Sequence, residues 1–380
     1  MEQTQIAGKP LVCLIALFIM GNRIITDEYH IADKDTWIAV LVSAAVFLPV
    51  IYMYAHIAAR FPGKNLYEMA IIVFGGVGGR IFNLIFALFS FQLGVLVLRD
   101  FILFVNIESL PMTPMLIIAL CLAGLAAWVA MLGPGAIGRA AMLFFVVVIA
   151  MVILMFFLLI GQMHIQNLQP VFGQGIPKIG TEATLWMASP FGETVLFLSL
   201  TGRAKPGAAR TQNLLRGYAL GGASLILATL ESILVLGGRA FSELAYPGFA
   251  TASIIHIGGF LQRLEALVAI IYLLCILTKL AVCLFSACEA VKTVWNRHPI
   301  QWLPFVPGGA AAFLAAFLFP NAGDVWQWMT AVYPFYAIPC EIGLPLLLWS
   351  TAAVKEKRRN LGHISHKKQF SEIYPAPSSH

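Results

Sequence analysis

The chain has 380 residues, of which 60% are apolar and only 11% are charged, and its formal net charge is +6. Because soluble domains carry about 25% charged residues, this composition excludes a soluble globular protein, a disordered chain, a collagen and a coiled coil. The apolar residues form long unbroken runs, whereas a transmembrane β-barrel would show weak alternation over about ten residues. The sequence therefore predicts an all-α, polytopic membrane protein.

Apolar segments that could cross a bilayer, which takes about 20 residues, follow one another along the chain. We predict ten transmembrane helices near residues 10–31, 37–59, 81–106, 114–132, 140–161, 184–201, 214–237, 262–291, 303–320 and 326–350. Lys and Arg concentrate in the cytoplasmic loops of membrane proteins. Most of these basic residues fall on one side when the N-terminus is placed inside, so both termini are predicted to be cytoplasmic.

Two regions of different character follow from this count. Residues 1–350 form a predicted ten-span, permease-like domain, made of one repeat near 9–161 and a second near 184–350. Residues 351–380 are basic and then rich in Ser, His and Pro, which predicts a disordered cytoplasmic tail. The alternative for this tail is a basic cluster that is attracted to anionic lipid.

Patterns of catalytic or cofactor-binding residues are missing from the sequence. It contains no Walker, HExxH or GxSxG motif, and its six cysteines form no CxxC pair and no zinc-binding spacing with His. The basic residues lie in loops beside apolar spans, which does not favour binding of nucleic acid. We therefore expect no enzymatic activity, no cofactor, no metal and no nucleic-acid partner.

Two of the predicted spans are interrupted near their middle. Gly21-Asn22-Arg23 interrupts the first, and Ser189-Pro190-Phe191-Gly192-Glu193 interrupts the sixth. Because five spans separate the breaks, they fall at matching places in two five-helix halves, as in transporters built from inverted repeats. Exposed main chain persists in a membrane only where protein or water encloses it, and helix ends there can bind carboxylate and ammonium groups. Gly and Pro are also common in intact membrane helices, which is the alternative for either break alone.

Ionisable residues inside the spans indicate which faces point to the bundle interior, because each costs about 2.5–3.5 kcal/mol at the bilayer centre. Glu193 directly follows the second break, and Lys279 lies in the middle of the eighth span, so both are predicted to face a central cavity. Arg99 and Asp100, at the outer end of the third span, either pair with each other or guard an entrance. Capping or interface contacts are predicted for three carboxylates nearer to span ends, Glu231, Glu289 and Glu341.

Short motifs are spread over nearly the whole chain. In chain order they are Gly21, Asp35-Thr36-Trp37, Arg60-Phe61-Pro62, Asn65-Leu66-Tyr67-Glu68, Leu98-Arg99-Asp100-Phe101, Pro111-Met112-Thr113-Pro114, Gly133 with Arg139, Phe191-Gly192-Glu193 continuing to Leu198, Tyr246-Pro247 and Arg263-Leu264-Glu265. Their order and spacing resemble the B-subunit permeases of bacterial spore germinant receptors, members of the amino acid–polyamine–organocation superfamily. The chain departs from these relatives after the first break, where it has Arg23 and then the polar segment 26–30.

The resemblance implies a LeuT-like fold of five-plus-five inverted repeats, with broken helices 1 and 6 and a small-molecule pocket between spans 1, 3, 6 and 8. It also implies assembly in the spore inner membrane with a larger A subunit and a lipoprotein C subunit. The expected function is sensing of a germinant, a small amino-acid-like zwitterion. The alternative is a secondary amino-acid transporter, either proton-coupled or a uniporter. A purely structural scaffold is disfavoured by the ionisable groups at the breaks.

The predicted ligand-binding residues lie at the two breaks and are Gly21, Asn22, Arg23, Ser189, Phe191, Gly192 and Glu193. We expect the ligand carboxylate to meet N–H groups of the first break. Its ammonium is expected to meet carbonyls of the second break, with Glu193 as the counter-charge. By fold analogy, Lys279, preceded by Thr278, is expected to stand where many proteins of this fold hold a sodium ion, which would remove any sodium requirement.

Overall fold

The structure, a computed structural model, describes residues 5–26, 29, 31–254, 265–295, 301–319 and 321–356. Its α-helices are α1 (Gly8–Met20), α2 (Thr36–Arg60), α3 (Leu66–Phe104), α4 (Met115–Met131), α5 (Pro134–Leu159), α6 (Ile176–Trp186), α7 (Thr211–Leu236), α8 (Gly238–Glu243), α9 (Pro247–Ser253), α10 (Glu265–Trp295), α11 (Phe305–Phe317), α12 (Ala322–Ala331) and α13 (Tyr333–Ile338). Through a π-helical turn, Pro339–Gly343, α13 continues into a helix over residues 344–356, so residues 351–356 of the predicted tail are helical. Within the described ranges the chain forms no β-strand, apart from one isolated bridge between Ile6 and Ala204. Several sequence features lie outside these ranges, namely Asp27, Glu28, His30, the start of the eighth span at 262–264 and the tail from 357 to 380.

Six helices in the described part of the chain are long and apolar enough to cross a membrane, and a seventh is counted if the bent pair α11 and α12 forms one span. Two further apolar helices, α1 and α4, have 13 and 17 residues. The predicted all-α membrane architecture is therefore confirmed. The count of ten spans and the division into two repeats stay predictions.

The third helix begins earlier than the sequence indicated. A span was predicted from residue 81, but α3 begins at Leu66 and continues through a kink at Gly75, where φ is 80° and ψ is −176°. The N-terminus of α3 is fixed by a capping box, because the Asn65 side chain accepts from the Glu68 N–H at 2.9 Å and the Glu68 carboxylate accepts from the Asn65 N–H at 3.1 Å. The glycine-rich sequence at residues 75–79, which separates the predicted third span from Leu66, is therefore a kink inside one long helix.

Both predicted breaks are present. Helix α1 ends because Gly21 adopts φ 34° and ψ −130°, and an irregular turn follows it. The second break is a π-helical turn, Met187–Phe191, in which Ser189 has extended backbone angles of φ −134° and ψ 118°. A 3-10 segment, Gly192–Ser199, continues the chain. The residues at both breaks are buried, so their main chain is enclosed by protein, as a non-helical segment inside a membrane requires.

Burial separates the central helices from those that face lipid. In the most apolar stretches of α10 and α3, 72% and 67% of the residues are buried, compared with 22% in α5. Helix α10 therefore runs through the middle of the bundle, beside α1 and α3, while α5 presents most of its surface outward. This position places the charged residue in the middle of α10 next to the first break.

Close packing of α1 against α7 depends on two glycines four residues apart. A Cβ on Gly217 would lie 2.7 Å from the Cβ of Ile15, and a Cβ on Gly221 would lie 2.8 Å from the Cβ of Ile19. Such spacing of small residues lets two membrane helices approach each other closely. The first break is therefore anchored to α7 by backbone proximity.

We predict that Gly221→Ala destabilises the folded protein by about 1–3 kcal/mol, because the added methyl group forces α1 away from α7. The matched control is Gly124→Ala on α4, where a Cβ would meet no atom within 4 Å. Thermal unfolding of the purified variants in detergent measures the difference. Equal unfolding temperatures for Gly221→Ala, Gly124→Ala and the unchanged chain would contradict the packing described here.

Candidate functional site

Asn22, the residue after Gly21, is hydrogen-bonded to two helices, α3 and α10. Its Nδ2 donates to Asp100 Oδ2 of α3 at 2.6 Å, and its Oδ1 accepts from Lys279 Nζ of α10 at 3.0 Å. This amide orientation satisfies a carboxylate acceptor on one side and an ammonium donor on the other. Asn22 is 2% exposed, so the first break is bonded to both central helices inside the protein.

Lys279 forms an ion pair with Glu193, with 2.5 Å between Nζ and Oε2, and both side chains are fully buried. The ammonium also lies 5.4 Å from the centroid of the Phe18 ring. A Cβ on Gly21 would lie 2.8 Å from Lys279 Cδ, so the lysine reaches Glu193 through space that a side chain at position 21 would fill. The pair joins the first break to the second, and separating it would leave two buried charges uncompensated.

A second carboxyl group lies on the other side of Glu193. The Tyr333 hydroxyl is 3.2 Å from Glu193 Oε1 and 3.5 Å from Glu341 Oε1. Glu341 is fully buried, and its carboxyl group occupies the space where a Cβ on Gly192 would be. The Tyr54 hydroxyl of α2 donates to the main-chain oxygen of Glu341 at 2.5 Å. The second break thus has two carboxyl groups beside it.

Arg23 makes the other link between the breaks. Its Nη2 donates to the Tyr29 hydroxyl at 2.9 Å and to Ser189 Oγ at 3.3 Å, and its guanidinium lies 4.5 Å from the centroid of the Tyr29 ring. The Tyr29 hydroxyl lies 3.1 Å from the carbonyl oxygens of both Leu185 and Ser189 and donates its single hydrogen to one of them. The carbonyl of Ser189 at the second break therefore has a hydrogen-bond donor of the protein within reach.

The structure brings most of the predicted site residues together, with three qualifications. The Gly21 N–H donates to the Leu17 carbonyl at 2.8 Å, so Gly21 supplies space and a chain reversal rather than a free donor. The Phe191 ring packs against Tyr218 on α7, 5.3 Å between centroids. The Thr278 hydroxyl bonds to the carbonyl of Leu274 in its own helix. Asn22, Glu193 and Lys279 meet at the ion pair, and Gly192 precedes Glu193. Arg23 and Ser189 bond to each other across the two breaks.

Sequence reasoning missed several partners of these residues. The expectation that Glu341 makes capping or interface contacts near a span end is wrong, because its side chain lies beside Glu193. Its position well inside the predicted span 326–350 was the available signal. Asp100 was considered as a partner of Arg99 or as an entrance residue, and its bond to Asn22 was not foreseen. Phe18 and Tyr333 gave no signal, because an aromatic residue in an apolar segment is unremarkable, and the contacts of Tyr29 could not be predicted from its place in the polar segment 26–30.

The other two carboxylates expected near span ends behave differently from each other. Glu289 pairs with Arg203 at 3.1 Å and with Lys292 at 2.9 Å on the predicted cytoplasmic side, which confirms an interface contact. Glu231 is 7% exposed and lines a small apolar cavity of about 40 Å³. Among the residues that the structure describes, no group of three or more His, Cys, Asp and Glu side chains could hold a metal ion.

A cavity of about 310 Å³ borders the site on the side of the bundle that is predicted to face outward, and it is called the outer cavity. Thr26 and Asp100 lie in its wall, with Tyr246 and Trp326 among the other lining residues. Arg99 points elsewhere, because its Nη1 donates to the Ala315 carbonyl of α11 at 3.1 Å. Asp100 therefore has the cavity on one side and Asn22 on the other.

The sequence is similar to those of known proteins over most of its length. A family model described as spore germination protein, that of the spore permeases, matches residues 5–324. Spore germination protein KB of Bacillus subtilis (strain 168) is 24% identical over 363 residues, which is 94% of this chain and 97% of that protein. The putative spore germination protein YfkT of the same organism is 23% identical over 320 residues, covering 84% of this chain and 87% of that protein.

Solved structures of cation-coupled transporters share the fold. A substrate-bound, outward-open Na⁺-coupled sialic acid symporter matches with a TM-score of 0.62 at 11% identity, over 90% of this chain and 78% of that one. Mhp1, a nucleobase-cation-symport-1 family transporter, matches in a closed conformation with a TM-score of 0.57 at 14% identity, over 99% and 95% of the two chains. These similarities confirm the LeuT-like fold with broken helices 1 and 6. Because the family model covers most of the sequence, the chain belongs to the spore permease family of spore germination proteins.

Proposed function

We propose that this chain is the germinant-sensing, permease-like subunit of a spore germination receptor and binds a small amino-acid-like zwitterion at mid-membrane. The observation that carries the proposal is the buried ion pair between Lys279 and Glu193, which joins the two helix breaks. Membership of the spore permease family supports a role in germination. The transporter fold supports, by analogy, a small-molecule site between the breaks.

A zwitterion matches this pair because it carries the same two charges. Its carboxylate would bind Lys279 and Arg23 together with main-chain N–H groups of the first break. Its ammonium would bind Glu193 and the carbonyls from Ser189 to Gly192. Such an exchange replaces one buried pair of opposite charges by two, so no charge is left uncompensated. Specificity for one amino acid over another would then come from the residues around the side chain of the ligand.

Binding would act by favouring one packing of the two breaks over another. The size of the response would be set by the difference in ligand affinity between the two packings. We propose that the response passes to a larger A subunit and a lipoprotein C subunit in the spore inner membrane, with both termini of this chain in the cytoplasm. A second candidate is a secondary amino-acid transporter, proton-coupled or a uniporter. The outer cavity beside Asp100 favours entry of the solute from outside in either case.

A charge-neutral double variant tests the site. We predict that Glu193→Gln with Lys279→Met folds, because the buried pair is removed as a whole, but no longer binds neutral amino acids. The probe is a panel of neutral L-amino acids added to the full chain in nanodiscs, with thermal unfolding as the readout. A ligand at about 100 times its Kd stabilises the binding-competent protein by about 2.7 kcal/mol.

The matched control is Thr278→Ala, next to Lys279, whose hydroxyl bonds only within α10 among the described contacts. It should retain the full stabilisation by the amino acid that the unchanged chain binds. If the double variant is stabilised as much as Thr278→Ala, the ligand does not use the two charges and the site assignment is wrong.

Sodium should have no effect on binding, because the Lys279 ammonium supplies the positive charge between the first and eighth predicted spans. The same thermal measurement, repeated with sodium fully replaced by potassium at constant ionic strength, is expected to give the same stabilisation. A stabilisation that disappears without sodium would show that an ion site exists beside Lys279.

Uptake into liposomes distinguishes sensing from transport. The purified chain alone should bind an amino acid from the panel without accumulating it inside liposomes, because the proposed response requires the partner subunits. Uptake of the radiolabelled amino acid is compared with that into protein-free liposomes and into liposomes holding the double variant. Accumulation above both controls would favour the transporter.

A further inference from the structure

The cluster at the second break contains two carboxyl groups and only one bonded cation. Lys279, Glu193, Tyr333 and Glu341 are each at most 1% exposed, and they form what is here called the central cluster. Lys279 is the cation that the described contacts give to this cluster, and it is bonded to Glu193 and Asn22. With both carboxyl groups ionised, the cluster would hold a second negative charge with no cation bonded to it.

The hydrogen atoms of the cluster can be counted. A tyrosine hydroxyl has one hydrogen, so Tyr333 can donate to one carboxyl group only. The shorter contact, 3.2 Å, is to Glu193 Oε1, which belongs to the ion-paired carboxylate. The remaining contact, 3.5 Å to Glu341 Oε1, is long for a hydrogen bond between two oxygen atoms, so an ionised Glu341 would receive no full hydrogen bond from Tyr333. A protonated Glu341 needs no such hydrogen and can itself donate to the Tyr333 oxygen.

The surroundings of Glu341 also suit a neutral acid. Its Oε2 has no hydrogen-bond partner among the described residues, which a buried carboxylate would need and a neutral carbonyl tolerates better. The groups that face it are Glu193 beside the break, Tyr333 on α13, Tyr54 on α2 and, beyond Glu193, Lys279 on α10.

Among the described contacts, no charged side chain from the neighbouring helices, other than those of Glu193 and Lys279, lies against the carboxyl group of Glu341. On α3, the neutral side chain of Gln92 donates to the hydroxyl of Tyr336. Arg23 lies at the other side of the break, where its described contacts are to Tyr29 and Ser189. Among the described contacts, neither Gln92 nor Arg23 bonds to the carboxyl group of Glu341, so a bound proton is the source of neutrality that fits these contacts.

We propose that Glu341 is a proton-binding site, occupied while Lys279 is paired with Glu193. The bound proton lets a second carboxyl group lie against the backbone of Gly192 without a second cation. The hydrogen-bond order is then Glu341 to Tyr333, Tyr333 to Glu193, and Lys279 to Glu193. This assignment goes beyond ligand sensing and does not depend on which solute the protein binds.

Infrared difference spectroscopy of the full chain in nanodiscs tests the proposal at neutral pH. The spectrum of the unchanged chain minus that of Glu341→Gln should contain the C=O stretch of a protonated carboxylic acid, shifted when H₂O is replaced by D₂O. The spectrum of the unchanged chain minus that of the double variant Glu193→Gln with Lys279→Met should instead contain the two bands of an ionised carboxylate. Carboxylate bands in the Glu341→Gln difference would overturn the proposal.

Two further variants separate a proton site from a merely structural role. Tyr333→Phe should move the acid band to higher frequency without removing it, because the acid loses its hydrogen-bond acceptor. Glu231→Gln, the control at a buried carboxyl group outside the cluster, should leave the Glu341 band in place. Glu341→Gln should also unfold at the same temperature as the unchanged chain, since an amide has the shape and charge of the neutral acid. A chain that fails to fold with this substitution would likewise contradict the assignment.

Discussion

The ion pair between Lys279 and Glu193 connects the middle of the regular helix α10 to the 3-10 segment at the second break. Either charge alone would cost several kcal/mol inside a membrane protein, so the middle of α10 and the start of the 3-10 segment are held at one separation. Asn22 and Tyr333 add hydrogen bonds at the two ends of the pair. The closed contact between the helix breaks therefore depends on electrostatics as well as on shape, and a ligand that opens it must replace both charges.

Two glycines make this arrangement possible. Gly21 ends α1 with φ 34° and also leaves the space through which Lys279 passes. Gly192 has helical backbone angles, φ −65° and ψ −36°, and leaves the space that the carboxyl group of Glu341 fills. At the first break one residue therefore both ends the helix and makes room for a charged side chain, whereas at the second break Ser189 is the extended residue and Gly192 provides the room. The two helix breaks and the central cluster therefore form one structural unit.

The sequence was sufficient for features that are local. Each break is marked by its own Gly and Pro residues, and Glu193 and Lys279 are recognisable because a charge in an apolar run must face inward. Partners could not be predicted in this way, because Asp100 and Glu341 reach the site through helix packing. Hydropathy also defines span ends only within several residues, which is why Glu341 was assigned to a span end. The predicted start of the third span was wrong because a glycine-rich kink inside a helix and a glycine-rich loop have the same composition.

The two bonds of Asn22 have a consequence for how fast the site can rearrange. Asp100 borders the outer cavity, and Asn22 bonds to both Asp100 and Lys279. Side chains rotate much faster than packed helices shift. A turn of this one amide would break both bonds while every helix kept its place.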